Sequence, residues 1–252
     1  MQTINEILIV RNDKIGDFIL ILPALSWLKK NIPNCRITCI VSEKVLDLAN
    51  QCEHIDSVII DKSIHKLYQE LKIHNFDASI TFYSTFRIGY LLRKLEIPMR
   101  IAPKTKLAQI YYNHKVIQNR SKSLKPEYEY NSDLVYELFN ILNINDIKDM
   151  DDAPYMIYKN ESIEERKKIF IDEYNLNPEK KMIFIHPGTG GSSKSLNIET
   201  FAQICKGLRK FDDYNFIVHC SPDDDQTARD LKIISGDQLV MRVIDAKDNI
   251  SY

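Results

Sequence analysis

Short apolar segments alternate with helical segments in the first half of the chain, and this alternation limits the possible folds more than any other feature of the sequence. Apolar segments with many β-branched residues are predicted strands, at residues 6–11, 36–42, 57–60 and 78–82. The segments between them are predicted helices, at residues 18–30, 43–51 and 64–74. Strands that alternate with helices of this length form a parallel sheet with helices on both faces. The sequence therefore predicts an α/β protein.

The same pattern restarts in the second half. An amphipathic helix is predicted at residues 131–142, and Asn143 is predicted to end it in the left-handed conformation. The acidic stretch 146–161 contains Pro154 and is predicted to connect two domains. Further strands are predicted at 181–186, 216–220 and 239–244, and further helices at 197–210, with Asn197 as its N-cap, and at 224–235.

This organisation predicts two Rossmann-like domains with parallel sheets, at residues 1–160 and 161–252. The second domain is expected to be incomplete, because three strands form about half of a doubly wound domain.

Composition excludes several other classes of protein. The net charge of −1 argues against a nucleic-acid partner. The first apolar run, residues 7–10, is too short for the core of a signal peptide, and no apolar stretch approaches the length that spans a bilayer. The five cysteines form no C-x-x-C pair, which argues against a zinc site. Buried, reduced thiols in the cytoplasm are expected instead, with no bound metal.

The first candidate site is the loop Arg11-Asn-Asp-Lys-Ile-Gly-Asp17, which follows a predicted parallel strand at the edge where such sheets bind ligands. Gly16 is predicted to allow a tight turn. Asp17 would then stand at a helix N-terminus, where the helix dipole favours its ionised form and keeps it available as a proton acceptor. The alternative, favoured on spacing alone, is that Asp17 only caps the helix. Asp13 and Lys14 could equally be solvated loop residues.

The second candidate is the loop His186-Pro-Gly-Thr-Gly-Gly-Ser-Ser-Lys194, which joins a predicted strand to a predicted helix. Its exposed amides and the positive helix end predict an anion site. Hydroxyl donors and a cation within it suit a phosphate: Thr189, Ser192, Ser193 and Lys194. A flexible loop is an equally good interpretation. His186 is more typical of a histidine satisfied at a strand end than of a catalyst.

Two further features are defined by charge. The segment from Ile97 to Pro126 has no acidic residue but carries seven cations, among them Arg100, Lys104 and Arg120. Such a segment attracts an anionic partner, although a solvated basic face is an equal alternative. The acids Asp223, Asp224 and Asp225 follow a predicted strand, where an acid often binds ribose hydroxyls, or they merely begin an acidic helix.

These features occur in the order of a known family. Ile7-Leu-Ile-Val-Arg11, followed by Gly16-Asp17 and then by Leu22-Pro-Ala-Leu25, resembles the opening motif of the glycosyltransferase family 9 heptosyltransferases. The family's second-domain motif resembles three segments of this chain, His186-Pro-Gly188, Lys194 and Glu199-Thr-Phe-Ala202. Both motifs together, in this order and at this separation, are much more specific than either alone. The resemblance covers essentially the whole chain.

The resemblance implies the GT-B fold, with an N-terminal acceptor-binding domain and a C-terminal nucleotide-sugar-binding domain facing a cleft. It implies metal-independent, inverting transfer of a heptose from ADP-heptose to the inner core of lipopolysaccharide, with no cofactor. Asp17 is similar to the family's proposed general base, which takes a proton from the acceptor hydroxyl. The enzyme would be cytoplasmic, with at most peripheral contact at the inner face of the inner membrane.

The remaining roles follow from motif positions. Thr189, Ser192, Ser193 and Lys194 would hold the diphosphate of the donor. Asp224, with Asp225 as the alternative, would hold the donor ribose. The cations expected to face the anionic acceptor are Lys14, Arg100, Lys104 and Arg120.

The sequence also departs from the family pattern. Leu196 replaces a tryptophan, Ala102 replaces a glycine, and the later D-T-G-P-x-H-L-A-type motif that clasps the donor is absent from these 252 residues. A truncated, non-catalytic fragment is therefore one alternative. Another GT-B-like enzyme, such as a nucleotide-sugar epimerase, is a second alternative.

Overall fold

The structure is a computed structural model that describes residues 4–104, 107–156, 163–188, 195–208, 213–220, 225–235 and 243–245. The chain divides into two compact units, Met1–Lys159 and Asn160–Tyr252.

The first unit is built on six parallel strands. In chain order they are β1 (Glu6–Arg11), β2 (Arg36–Val41), β3 (Ser57–Ile60), β4 (Ala78–Thr81), β5 (Met99–Pro103) and β6 (His114–Val116). Their order in the sheet is β3-β2-β1-β4-β5-β6, so β1 has β2 on one side and β4 on the other. The strand order reverses at β1. Ligands of open parallel sheets bind outside the carboxyl ends of strands at such a point.

Helices cover both faces of this sheet. They are α1 (Ile15–Ile19), α2 (Leu22–Asn31), α3 (Leu46–Gln51), α4 (Ile64–Leu71), α5 (Phe86–Lys94) and α6 (Glu127–Ile141). Successive residues of β1 point to opposite faces. Ile7 and Ile9 belong to the core under α2 and α6, whereas Leu8 and Val10 belong to the core under α4 and α5. Both faces of the central strand are therefore buried, as the apolar sequence of β1 predicts.

The predicted single helix at 18–30 is wrong, because the structure has two helices separated at Leu20 and Ile21. Pro23 has no amide proton to donate and therefore suits only the first turn of a helix, which is where α2 places it. The prediction for Asn143 is confirmed: its φ is 53°, and the following amide of Ile144 donates to the Phe139 carbonyl at 3.1 Å.

Much of the predicted connector is packed on the first unit. Ile147, Tyr155 and Met156 lie against its core. Trp27 Nε1 donates to the Lys148 carbonyl at 2.6 Å. The stretch 146–156 is therefore part of the first unit rather than a free linker, and residues 157–161 lie outside the described residues.

The second unit has a parallel sheet of the order β7-β8-β9, formed by β7 (Lys181–Ile185), β8 (Tyr214–Cys220) and β9 (Val243–Asp245). Its helices are α7 (Ile163–Glu173), α8 (Ile198–Leu208) and α9 (Asp225–Ser235). The predicted cap of α8 is confirmed, because Asn197 Oδ1 accepts a hydrogen bond from the Thr200 amide at 2.9 Å. All five cysteines are buried, as predicted. Within the described part of the chain, no helix has both the length and the apolar character needed to cross a bilayer.

Candidate active site

The loop between β1 and α1 lies where the strand order of the first sheet reverses, and its neighbours fix its position. The Ser42 hydroxyl, at the end of β2, donates to the Asp13 carbonyl at 2.9 Å. Asn12 Nδ2 donates at 2.7 Å to Asp61 Oδ2, at the end of β3, and Arg87 also binds that oxygen. The loop is therefore held by the carboxyl ends of β2 and β3, which both lie on one side of β1.

One buried cation joins the two acids of this loop. Arg11 ends β1, and its side chain is only 4% exposed. Its Nε lies 2.9 Å from Asp13 Oδ1, and its Nη2 lies 2.8 Å from Asp17 Oδ1. Nη1 also donates to the Phe82 carbonyl, at the end of β4, at 3.4 Å. Arg11 is thus ion-paired with both Asp13 and Asp17.

The two carboxylates differ in their access to solvent. The Asp13 side chain is 16% exposed, whereas that of Asp17 is 36% exposed. Burial raises the pKa of Asp13 above its usual value, Arg11 opposes that effect, and the negative charge of Asp17 adds to it. The interpretation of Asp13 as a solvated residue is therefore wrong. Asp17 is the carboxylate of this pair that a substrate can reach.

The local backbone corrects two details of the predicted loop. Gly16 lies inside α1, its φ is not in the left-handed region, and a Cβ there would meet nothing within 4 Å, so no tight turn requires it. The space beside Gly16 is open. Asp17 does not cap α1: the N-cap position is Lys14, and no side chain caps the helix. Because α1 has only five residues, the contact that orients Asp17 is Arg11 rather than a long helix dipole.

Arg120 and Asn131 form a second polar cluster close to Arg11. Arg120 Nη1 pairs with Glu127, its Nε donates to Gln118 Oε1 at 2.9 Å, and its Nη2 donates to Asn131 Oδ1 at 3.3 Å. Asn131 is fully buried and donates to the Leu20 carbonyl at 2.9 Å, between α1 and α2. Burial lowers the pKa of Arg120, and the positive charge of Arg11 contributes to that lowering.

The four predicted acceptor cations lie in different parts of the first unit. Lys14 and Lys104 are exposed, next to the carboxyl ends of β1 and β5. Arg120 is partly exposed and lies near Arg11.

Arg100 lies elsewhere. It is in register with Ser79 and Leu8, three residues before Arg11 along the strand direction, which is about 10 Å from the edge where Arg11 lies. Its guanidinium donates to the carbonyls of Tyr111, at 2.8 Å, and Ile97. The structure does not bring Arg100 to the candidate site, because this cation holds two loops of its own chain.

The carboxyl edge of the second sheet carries a histidine pair. His186 follows β7, and its Nδ1 donates to the carbonyl of His219, in β8, at 2.7 Å. The two Nδ1 atoms are 3.2 Å apart, and the ring centroids are 5.3 Å apart. Burial and the proximity of His186 lower the pKa of His219. His186 is thus hydrogen-bonded at a strand end, as predicted.

The predicted donor residues Thr189, Ser192, Ser193, Lys194 and Asp224 lie outside the described residues. Beside that loop, the structure describes the Ser195 hydroxyl, which donates to the Pro187 carbonyl at 3.3 Å. In the described ranges of both units, no group of three or more His, Cys, Asp or Glu side chains could hold a metal ion.

Three residues of these clusters were missed at the level of sequence. The role of Arg11 could have been predicted from the sequence. A cation that ends an apolar strand must be paired when it is buried, and two acids follow Arg11 within six residues. No sequence pattern predicts the roles of Asn131 and His219, because each depends on a partner far away in the chain. Asn131 contacts Leu20, and His219 contacts His186.

Comparison with known proteins agrees with this architecture. The sequence model of glycosyltransferase family 9 (heptosyltransferase) matches residues 64–244. A Haemophilus influenzae protein provisionally designated a glycosyltransferase is 36% identical over 238 residues, which is 92% of this chain and 68% of that protein.

Two solved structures have a similar fold. The family 9 glycosyl transferase of Veillonella parvula has a TM-score of 0.77 at 17% identity, over 97% of this chain and 70% of its own. The ADP-heptose lipopolysaccharide heptosyltransferase II of E. coli has a TM-score of 0.74 at 16% identity, over 96% of this chain and 73% of its own.

The parallel sheets of the two units and their likeness to these structures define the GT-B fold. The family match and the 36% identical relative then establish that the chain belongs to glycosyltransferase family 9, the heptosyltransferase family.

Proposed function

We propose that this transferase moves a heptose from ADP-heptose to the inner core of lipopolysaccharide, with inversion and without a metal or cofactor. The family supplies the class of reaction. The geometry of Asp17 supports its assignment as the base. Its carboxylate is partly exposed, and a buried arginine binds it at the carboxyl edge of the first sheet.

In the proposed step, Asp17 accepts the proton of an acceptor hydroxyl while the hydroxyl oxygen bonds to the anomeric carbon of the heptose. The bond from that carbon to the ADP oxygen breaks on the opposite face, so the configuration inverts and ADP leaves with the electron pair. Arg11 holds the Asp17 carboxylate in position before the proton arrives. The partial exposure of the Asp17 side chain would give the acceptor access to its carboxylate.

The substrates would be held by the remaining predicted residues. Thr189, Ser192, Ser193 and Lys194 would bind the diphosphate, and Asp224 the ribose, on the basis of the family motif alone. Lys14, Lys104 and Arg120 lie around the carboxyl edge of the first sheet and would attract an anionic acceptor. We do not extend this role to Arg100, whose guanidinium binds backbone carbonyls. The enzyme would work in the cytoplasm, in peripheral contact with the inner membrane.

The experiment compares Asp17→Asn with the wild type in a transfer assay with ADP-heptose and a lipopolysaccharide-core acceptor, and in calorimetric titration with ADP. Loss of a general base lowers kcat by about 10²- to 10⁴-fold, whereas ADP affinity stays unchanged. Lys194→Ala should instead weaken the affinity for ADP by about tenfold or more, because it removes a cation proposed to bind the diphosphate.

Asp47→Asn, a change to an exposed acid of α3, serves as the matched control and should match the wild type in both measurements. Unchanged turnover of Asp17→Asn would contradict the role of Asp17 as the base. Unchanged ADP affinity of Lys194→Ala would contradict the role of Lys194 in binding the diphosphate.

A further inference from the structure

Helix α5 exposes an aromatic stripe. Ile88, Leu91 and Leu92 face the core, and Phe86 and Tyr90 on the other side are about half exposed. Positions four and three residues apart share a helix face, so Arg93 continues the stripe after Phe86 and Tyr90. Half-exposed aromatic rings followed by a cation are unusual on a face that contacts only water.

A short 3₁₀ helix, Leu107–Tyr111, packs against α5 and widens this stripe. The Tyr111 ring lies edge-on to both Phe86 and Tyr90, with centroid distances of 6.1 Å in each case. Side chains three apart share a face of a 3₁₀ helix. Ala108 is buried and Tyr111 faces α5, so Leu107 and Ile110 point outward and are 75% and 61% exposed. The resulting apolar surface consists of Phe86, Tyr90, Leu107 and Ile110 around Tyr111.

The charge around the apolar surface has one sign. Between Ala78 and Pro126 the sequence contains ten lysines and arginines and a single acid, Glu96. Arg93 is exposed, and Arg100, whose pKa is lowered by burial and then by the charge of Arg93, binds the Tyr111 carbonyl at 2.8 Å. Lys104 is exposed three residues before Leu107. Cations therefore border the apolar surface.

We propose that the apolar surface binds the anionic phospholipid surface of a membrane. An anionic membrane surface has an apolar region and a negatively charged region. The protruding aromatic and aliphatic side chains suit the first, and the cations of this acid-poor segment suit the second. The apolar groups enter the region between headgroups and acyl chains, and the cations bind the negative leaflet. This membrane contact follows from the exposure and charge of the apolar surface and does not depend on the identity of the sugar or the acceptor in the proposed function.

The test is co-sedimentation of the whole chain with vesicles of phosphatidylcholine and phosphatidylglycerol, and with vesicles of phosphatidylcholine alone. Binding is expected to the anionic vesicles and to weaken as salt rises, because salt screens the cations. The double variant Leu107→Ser/Ile110→Ser should bind about tenfold or more weakly. The double variant Arg93→Gln/Lys104→Gln should also bind on the order of tenfold more weakly to anionic vesicles.

The matched control is Ile169→Ser/Ile233→Ser, which changes two isoleucines of the second unit that are 52% and 76% exposed. It should bind like the wild type. Equal binding of Leu107→Ser/Ile110→Ser and the wild type, or no binding of the wild type to anionic vesicles, would overturn the proposal. Light scattering supplies a separate outcome: a wild-type dimer that Leu107→Ser/Ile110→Ser converts to a monomer would assign the surface to a second copy of the chain instead.

Discussion

Arg11 Nη2 lies 2.8 Å from Asp17 Oδ1, so the proposed base is bound to a buried cation before any substrate arrives. The same guanidinium also faces Asp13 at 2.9 Å. One positive charge therefore serves two carboxylates. Burial raises the pKa of Asp13, Arg11 opposes that effect, and the negative charge of Asp17 adds to it. The arrangement of these three charges leads to two predictions.

Arg11→Gln should lower the rate at neutral pH by about 10- to 100-fold. Without the cation, the two carboxylates repel each other, and Asp17 loses the contact that orients it. Arg11→Lys should restore part of the rate because it restores the charge.

The measurement is kcat/KM at neutral pH in the transfer assay. Arg36→Gln, at an exposed arginine of β2, is the matched control and should keep the wild-type value. A value for Arg11→Gln equal to that of the wild type would show that Arg11 does not orient the base.

Asp13→Asn should leave most of the rate intact. The change removes one negative charge, and Arg11 then binds Asp17 alone. The value of kcat/KM should change by less than about threefold, because the Asp13 side chain is mostly buried and does not meet substrate in the proposed step. A loss as large as that of Arg11→Gln would contradict the separate roles of the two acids.

Elements with a simple apolar pattern were predictable from the sequence, and those defined by long-range contacts were not. The bounds of β1 and β3 match their predicted ranges, because both are short apolar runs beside clear turns. Strand β5 was missed because its five residues include Arg100 and Pro103, and β6 because it has three residues, among them His114 and Lys115. Their pairing with β4 and with each other makes them strands, and that information is not local.

The candidate site shows the same division. Asp17 and its position after β1 could be read from a motif, whereas the burial of Asp13 and the contact of Asn131 with Leu20 depend on packing. For Arg100, the charge alone predicts contact with an anionic acceptor. Its place in the register of β5 and its two carbonyl partners, which are not visible in the sequence, give it a role within the fold.

Two glycines in helices should respond to substitution with opposite signs. A Cβ at Gly89, in α5, would lie 3.0 Å from Tyr111 and 3.2 Å from Tyr112, so Gly89→Val should lower the free energy of unfolding by about 1–3 kcal/mol. A Cβ at Gly207, in α8, would meet nothing within 4 Å, so Gly207→Ala should raise it by up to about 1 kcal/mol through helix propensity. Urea denaturation measures both. Stabilisation by Gly89→Val would show that α5 and the 3₁₀ helix are not closely packed.

The histidine pair should make the fold less stable in mild acid. The pKa of His219 is lowered below its usual 6.5 by burial and by His186. Below pH 6.5 the unfolded chain therefore binds a proton that folded His219 resists, so stability present above that pH is lost as the pH falls through the folded pKa. The pKa of His54 is also lowered, mainly by burial, and acts in the same direction. The wild-type Tm should thus drop between pH 7.5 and pH 5.

His219→Gln should reduce that drop, and the double variant His54→Gln/His219→Gln should reduce it further. The bond from His186 Nδ1 to the carbonyl of residue 219 survives the substitution, because the acceptor belongs to the backbone. His65→Gln, at an exposed histidine of α4, is the matched control and should show the full drop. Differential scanning calorimetry at the two pH values measures all four proteins. If His219→Gln lost as many degrees as the wild type, the pair would contribute nothing to the acid sensitivity, and His54 would be the remaining histidine of lowered pKa that could cause it.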